Sequence, residues 1–321
     1  MHLNRGLLFW GLALVTAGAT ALAVQQGYID RGVVADAWRL WPVILIAIGL
    51  SIILARTPFA VLGTVLAALI LGVGAGAIFT VGPSVACTGN VPSDLTTQSG
   101  SFSGDTAGVN LDFNCGELNV AMAAGGGWTA GTATTGDREV VVESDSDILD
   151  VSATNEEGWN WDAGKQRWDI GLGSDLAYDL QVNANAADVD LELAGGNFDR
   201  LGIDPNAASL FIDLSGTTVR DFDMSMNAGS AEIQTDASTA LTGSFTMNAG
   251  SFELCVPDGA AIRIDVADAN FTFSHNLDDS GLTRSGDTWT SDAFDGADTF
   301  IDLRLEGNAA SFTFNPDGGC S

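Results

Sequence analysis

The chain is almost devoid of lysine and histidine. Lys165 is its one lysine in 321 residues, and His2 and His275 are its two histidines. No His-Glu-x-x-His pair, nucleophile elbow or phosphate-cradling glycine loop occurs, so metalloprotease, serine-hydrolase and nucleotide-binding chemistry lack their usual residues. Neither histidine has a catalytic setting: His2 precedes the first apolar run and His275 falls in a late strand, where a structural role is expected. Positive charge is equally scarce, with 12 Lys and Arg against 41 Asp and Glu and a net charge of −29. Nucleic acid and anionic lipid headgroups are polyanions, so a domain this acidic repels both.

The charge is unevenly spread. Residues 1–85 hold Arg5, Arg31, Arg39 and Arg56 with only Asp30 and Asp36 against them, while the other 236 residues hold 39 acids and 8 bases. Three uncharged runs fill the first segment, at residues 7–24, 40–55 and 57–85. A spanning helix needs about 20 apolar residues. The second run is short, but Trp38, Arg39, Trp41 and Arg56 frame it as interfacial anchors, and Pro42 sits near its start where a missing N–H costs little. Three spans are expected, placing the two chain ends on opposite sides. Ala21-Leu22-Ala23 also has the form of a signal-peptidase site, and cleavage there would leave two spans with the C-terminal part still outside. Loop charges do not decide the orientation. Gly72 and Gly76 have the small-residue spacing that lets membrane helices pack closely, against another protein or a second copy.

Four asparagines stand 21 residues apart: Asn185, Asn206, Asn227 and Asn248. Each opens a matching stretch, in order NAADVDLEL, NAASLFIDL, NAGSAEIQT and NAGSFELCV. Within these, Val189, Leu210, Ala231 and Phe252 share one column, and Leu191, Ile212, Ile233 and Leu254 share another. Asp190, Phe211, Glu232 and Glu253 lie between them. Period-two alternation turns the first two columns inward and the third outward. A second short strand precedes each asparagine, marked by Leu180/Val182, Leu201/Ile203, Phe222/Met224 and, with shifted alternation, Phe245/Met247. Each coil thus holds two strands and two turns. The small residues after each asparagine suit a tight corner, and the stacked amides, having both donors and acceptors, can form a ladder. Residues 308–314 read as a late coil of the same type.

The expected fold is an N-terminal α-helical membrane segment (1–82), a Gly/Ser/Thr-rich linker (83–108) and an all-β, single-chain right-handed β-solenoid with coils of about 21 residues (109–321). A leucine-rich repeat fits the spacing of Phe198, Leu201, Ile203 and Asn206, but the stretch after each asparagine alternates like a strand rather than a helix. Outside the repeat, residues 109–113 and 139–142 read as strands. Trp159-Asn160-Trp161 and Trp168-Asp169-Ile170 read as a hairpin with aromatics on one face, where packing is a commoner role for tryptophan than binding sugar.

Arg5-Gly6-Leu7-Leu8, followed by a glycine-dotted apolar run and Trp41-Pro42-Val43-Ile44-Leu45, resembles the LiaI/LiaF-type transmembrane region over residues 3–56. That family often has a second hairpin with its own Trp-Pro, where this chain has one long run. The segment from Trp168 through Thr235 resembles the toast-rack and LiaF C-terminal domains. The resemblance implies a bacterial β-solenoid ectodomain linked to the envelope-stress response.

Asp188, Asp190 and Glu192 alternate on one strand face, and hard cations such as Ca²⁺ favour several carboxylate oxygens. Ser209, Phe211 and Asp213 in the next coil break that carboxylate ladder, and calcium-binding glycine nonapeptides are missing. Polysaccharide lyases also use β-helices but need a basic residue among their acids. No cofactor is expected. Cys87, Cys115, Cys255 and Cys320 all follow the membrane segment, match no zinc spacing, and suit disulfides Cys87–Cys115 and Cys255–Cys320, the nearest pairs in sequence. Cys255 falls in a polar, outward column, open to a C-terminal tail. Two functional classes remain: a non-enzymatic, membrane-anchored envelope-stress sensor or regulator acting through an integral membrane partner, or a surface-displayed adhesin for which the helices are merely an anchor.

Overall fold

In the computed structural model two units are distinct, Met1–Val85 and Ala86–Ser321. The structure describes residues 90–135, 139–153, 164–267 and 273–316, and in the first unit only residues 11, 12, 14–16, 68 and 69, which are helical. Among the described residues no helix is long and apolar enough to cross a membrane. Apart from those few residues, the three expected spans lie outside the described residues, as do the Ala21–Ala23 site, Gly72, Gly76, Trp159, Trp161, Cys87 and Cys320.

The described part of the second unit is mostly β. Its strands are β1 (Thr96–Ser101), β2 (Thr106–Phe113), β3 (Gly116–Ala123), β4 (Gly127–Thr134), β5 (Val140–Asp145) and β6 (Ile148–Ala153). They continue with β7 (Gln166–Gly173), β8 (Ala177–Asn185), β9 (Ala187–Glu192), β10 (Asn197–Asn206), β11 (Ala208–Asp213) and β12 (Thr218–Gln234). The last are β13 (Ala240–Cys255), β14 (Ile262–Ala267), β15 (Ser274–His275), β16 (Thr283–Ser285), β17 (Thr288–Thr290) and β18 (Ile301–Phe314). The segment read as a linker already contains β1 and the start of β2.

The strands stack as coils in two parallel ladders. One runs β6, β2, β8, β10, then the first halves of β12, β13 and β18, and ends on β14. The other runs β7, β3, β9, β11, then the second halves of the same three strands, and ends on β15. In the middle the coils follow chain order with the 21-residue offset of the repeat, Leu210 beside Ala231 beside Phe252. At both ends chain order fails. The coil β2–β3 lies between β6–β7 and β8–β9, and β18 lies between β13 and β14–β15. Antiparallel strands then finish the ladders, β5 on β6, β4 on β7 with β1 beyond it, and β17 on β14 with β16 beyond.

The corners are built by the residues after each asparagine. Ala186 and Ala207 take φ of 50° and 54°, the left-handed region that a small side chain tolerates. In the next two coils Gly229 and Gly250 take φ of 136° and 132°, open only to glycine. A Cβ on Gly229 would meet the Ala208 carbonyl oxygen at 2.0 Å, so the coils also approach too closely there for any other residue. On the outside of this corner the amides form a ladder. Asn206 donates to Asn185 Oδ1 at 3.0 Å, Asn227 donates to Asn206, Asn248 donates to Asn227 Oδ1 at 2.8 Å, and Asn308 donates to Asn248 Oδ1 at 2.8 Å. The opposite corner is held from inside, where buried Thr217 and Thr239 donate to the carbonyls of Leu193 (2.9 Å) and Leu214 (2.8 Å).

The core is the space between the two ladders. Leu191, Ile212, Ile233 and Leu254 are fully buried, and Val189, Leu210, Ala231 and Phe252 nearly so. Large rings fill the far coils: Phe222 meets Phe245 edge-on at 4.9 Å, Phe245 stacks on Phe252 at 4.8 Å, and Phe252 tilts on Phe312 at 5.2 Å. The shifted alternation has a plain cause. Gly243 occupies the column of Phe222, and a Cβ there would lie 2.3 Å from the Phe222 carbonyl oxygen. Two other expectations change. Trp168 finds its antiparallel neighbour in β4, opposite Thr132, and packs edge-on against Phe113 at 5.0 Å within the core. Cys255 is buried despite its outward column. Asn315 exchanges hydrogen bonds with the backbone of Val256 next to it (2.8 and 3.0 Å), which brings C-terminal residues over this corner.

Ile233→Asp should unfold the domain, whereas Glu232→Ser should leave its melting nearly unchanged. An unpaired carboxylate in the inner column costs several kcal/mol, comparable to a margin of about 5–15 kcal/mol, while Glu232 faces outward. Similar melting of the two variants would refute the register. Neither Cys115 nor Cys255 is a free thiol. Mass mapping without reductant should recover Cys87–Cys115 and Cys255–Cys320, each stabilising by about 2–4 kcal/mol; crossed pairs would refute the assignment.

Candidate binding face

The outward columns of the second ladder form the most distinctive surface of the domain. In the first, the register aligns Glu117, Asp188, Ser209, Ser230, Ser251 and Ser311. In the second it aligns Asn119, Asp190, Phe211, Glu232, Glu253 and Thr313. Alternation alone puts these side chains outside, because their neighbours Val189, Leu210, Ala231 and Phe252 fill the core. The face is grooved, with an open hollow of about 500 Å³ running over five coils. Serines on one side and longer acids on the other give it unequal walls.

The electrostatics of the groove are one-sided. Glu117, Asp188, Asp190, Glu232 and Glu253 line it, and among the described residues no Lys or Arg does. Arg167 stands at its margin, 3.3 Å from Asp169 and 3.9 Å from Glu117, but these groups are more than a third exposed and such pairs are worth little. Asp190 is half-buried. Burial pushes its carboxyl above the ordinary range, and its Oδ1 has no partner among the described residues. Phe211 lies between Asp190 and Glu232 in the same column, so an aromatic ring is set among carboxylates. Carboxylates around a ring face suit a cationic group, by charge and by cation–π attraction.

Sequence reading anticipated part of this face. The alternation of Asp188, Asp190 and Glu192 and its interruption by Ser209, Phe211 and Asp213 hold in the register. Glu117 and Asn119 escaped notice, because β3 borders β9 only through the out-of-order stacking of the first coil. Among the described residues no group of three or more His, Cys, Asp or Glu is arranged to hold a metal ion. His275 lies at the far end of the stack, paired with Phe312 and edge-on to Trp289 at 4.9 Å. Trp289 in turn donates from Nε1 to Asp278 at 3.1 Å, with Arg284 over its ring. These contacts make His275 part of an end cap.

Comparison with known proteins gives family matches in both units. No curated protein matches the chain significantly. Among solved structures, a "putative cell adhesion protein" from Clostridium sporogenes is similar at 10% identity and TM-score 0.45, covering 68% of this chain and 98% of that one. A "putative adhesin" from Bacteroides fragilis gives 12% identity and TM-score 0.26, over 70% and 100% of the two chains. One from Parabacteroides merdae gives 12% and 0.28, over 69% and 96%. Family models are more specific. Residues 88–236 match the N-terminal domain of toast_rack, DUF2154, and residues 8–53 match the LiaI-LiaF-like transmembrane region. The two matches fall in one chain in the order of the LiaI/LiaF-type toast-rack architecture, which the chain resembles over residues 8–53 and 88–236.

Proposed function

We propose that this protein is a non-enzymatic, membrane-anchored sensor or regulator of envelope state that works by contact with another integral membrane protein. The observation that carries the proposal is the pairing of the two family regions in one chain. The acidic groove supports it by offering a contact surface with a defined preference. Its partner would present a cationic segment, which the carboxylates attract and the Phe211 ring receives. In this proposal the three apolar runs span the membrane and the right-handed solenoid stands outside the cytoplasm. The acidic composition and the four cysteines, all after the membrane region, favour that side. The helices around Gly72 and Gly76 would pack laterally against the partner or a second copy.

Protease added to intact cells, or to protoplasts where a wall blocks access, should cut the β domain. Full protection while an external control is cut would overturn the topology. Affinity capture from crosslinked membranes should recover an integral membrane partner that is lost when residues 1–82 are replaced by an unrelated anchor. The double variant Glu232→Lys/Glu253→Lys should weaken that capture about tenfold or more, and moderate salt should weaken the wild-type contact. Capture that fails, together with binding of cells or wall polymer by the intact protein regardless of its anchor, would establish an adhesin instead.

A further inference from the structure

Six buried side-chain atoms lack a hydrogen-bond partner among the described residues, and four of them belong to residues of the paired strands β4 and β7: Nε2 and Oε1 of Gln166, Nε1 of Trp168 and Oγ1 of Thr134. Gln166 and Trp168 have no exposed surface at all. Thr134 stands directly opposite Gln166 where β4 pairs with β7, and Thr132 stands opposite Trp168. Gln166 and Trp168, two residues apart on one strand, share its inward face, as the alternating burial of β7 shows.

We infer that these residues enclose an internal water site, in which one or two ordered water molecules complete the hydrogen bonding where the antiparallel cap meets the first coils. The donor and acceptor inventory supports it. The amide of Gln166 has two N–H donors and two acceptor lone pairs, Trp168 has one donor, and Thr134 can do either. Exchanging the amide oxygen and nitrogen does not help, since both atoms are orphaned. A dry site would leave this whole set unpaired, a penalty on the scale of a domain's stability margin. Water both donates and accepts, and a typical buried molecule makes about three bonds, which suits this mixed set. Residues directly opposed on antiparallel strands have Cβ atoms about 5 Å apart, a separation one water can bridge.

The other coils differ. Thr217 and Thr239 are as deeply buried, yet each reaches a backbone carbonyl, and the Tyr178 hydroxyl donates to Gly173 O at 2.7 Å. The protein itself therefore satisfies Thr217, Thr239 and Tyr178, which lie where coils stack in the regular repeat. The Gln166 cluster sits where the regular stack ends and β4 runs antiparallel to β7.

The test uses the full chain in detergent. Gln166→Met keeps the size and removes the amide. With water present it strips the water of its main partner and strands Trp168 and Thr134, so the melting midpoint should fall by about 3–6 °C. An unchanged or raised midpoint means that a dry orphan amide was removed, and overturns the inference. A second readout needs no core variant. In protein carrying ¹⁵N-labelled tryptophan, the Trp168 indole N–H, assigned with Trp168→Phe, should show a direct cross-relaxation signal from water. Its absence would equally overturn the inference.

Discussion

Everything in the β domain depends on the parallel backbone ladder between successive coils. One coil of about 21 residues has two strands and can bury neither its inward side chains nor its backbone polar groups alone. Stacked coils do both, since each N–H and C=O meets the coil above or below while inward columns meet across the interior. Stacking makes two demands. The corners must repeat closely enough to keep the register, and the terminal coils must be covered, because open strand edges pair with other chains.

The corners meet the first demand with asparagine. Its backbone leads into a residue at positive φ, and its side chain links to the asparagine one coil away. Because Asn308 joins the same ladder although 60 residues separate it from Asn248, the ladder follows spatial order rather than chain order. The ends meet the second demand by interlocking. At each end an element out of chain order, β2–β3 at one and β18 at the other, is inserted beneath the last parallel coil, and antiparallel strands pair with that last coil. An end coil therefore cannot peel away by simple fraying of the chain terminus.

The groove and the core lie on opposite sides of the same strands. Inward residues of the second ladder are aliphatic or aromatic and most outward ones are serine or acid, so a one-residue slip would exchange core and groove. This coupling explains how a surface so rich in carboxylate coexists with a well-packed interior. The acids stay exposed or half-buried, and burial raises the Asp190 carboxyl from its ordinary value.

The repeat was legible in the sequence because its determinants are local. The 21-residue spacing, the two inward columns, the outward acids and the small corner residues each depend on a residue and its near neighbours. Ile233 and Glu232 could be assigned to opposite faces from alternation alone, and the membrane region could be recognised from apolar runs framed by Trp and Arg. Tertiary structure decided the non-local features. Nothing in the residues of β2–β3 or β18 states which coils they separate. Hence Glu117 joining the acidic groove, Trp168 pairing with β4, and β1 forming within a Gly/Ser/Thr-rich stretch were invisible beforehand. Cys255 shows the same limit. Its column is outward by period, yet Asn315, 60 residues later, draws the chain's end over it, because burial is decided by whichever segment comes to lie on top.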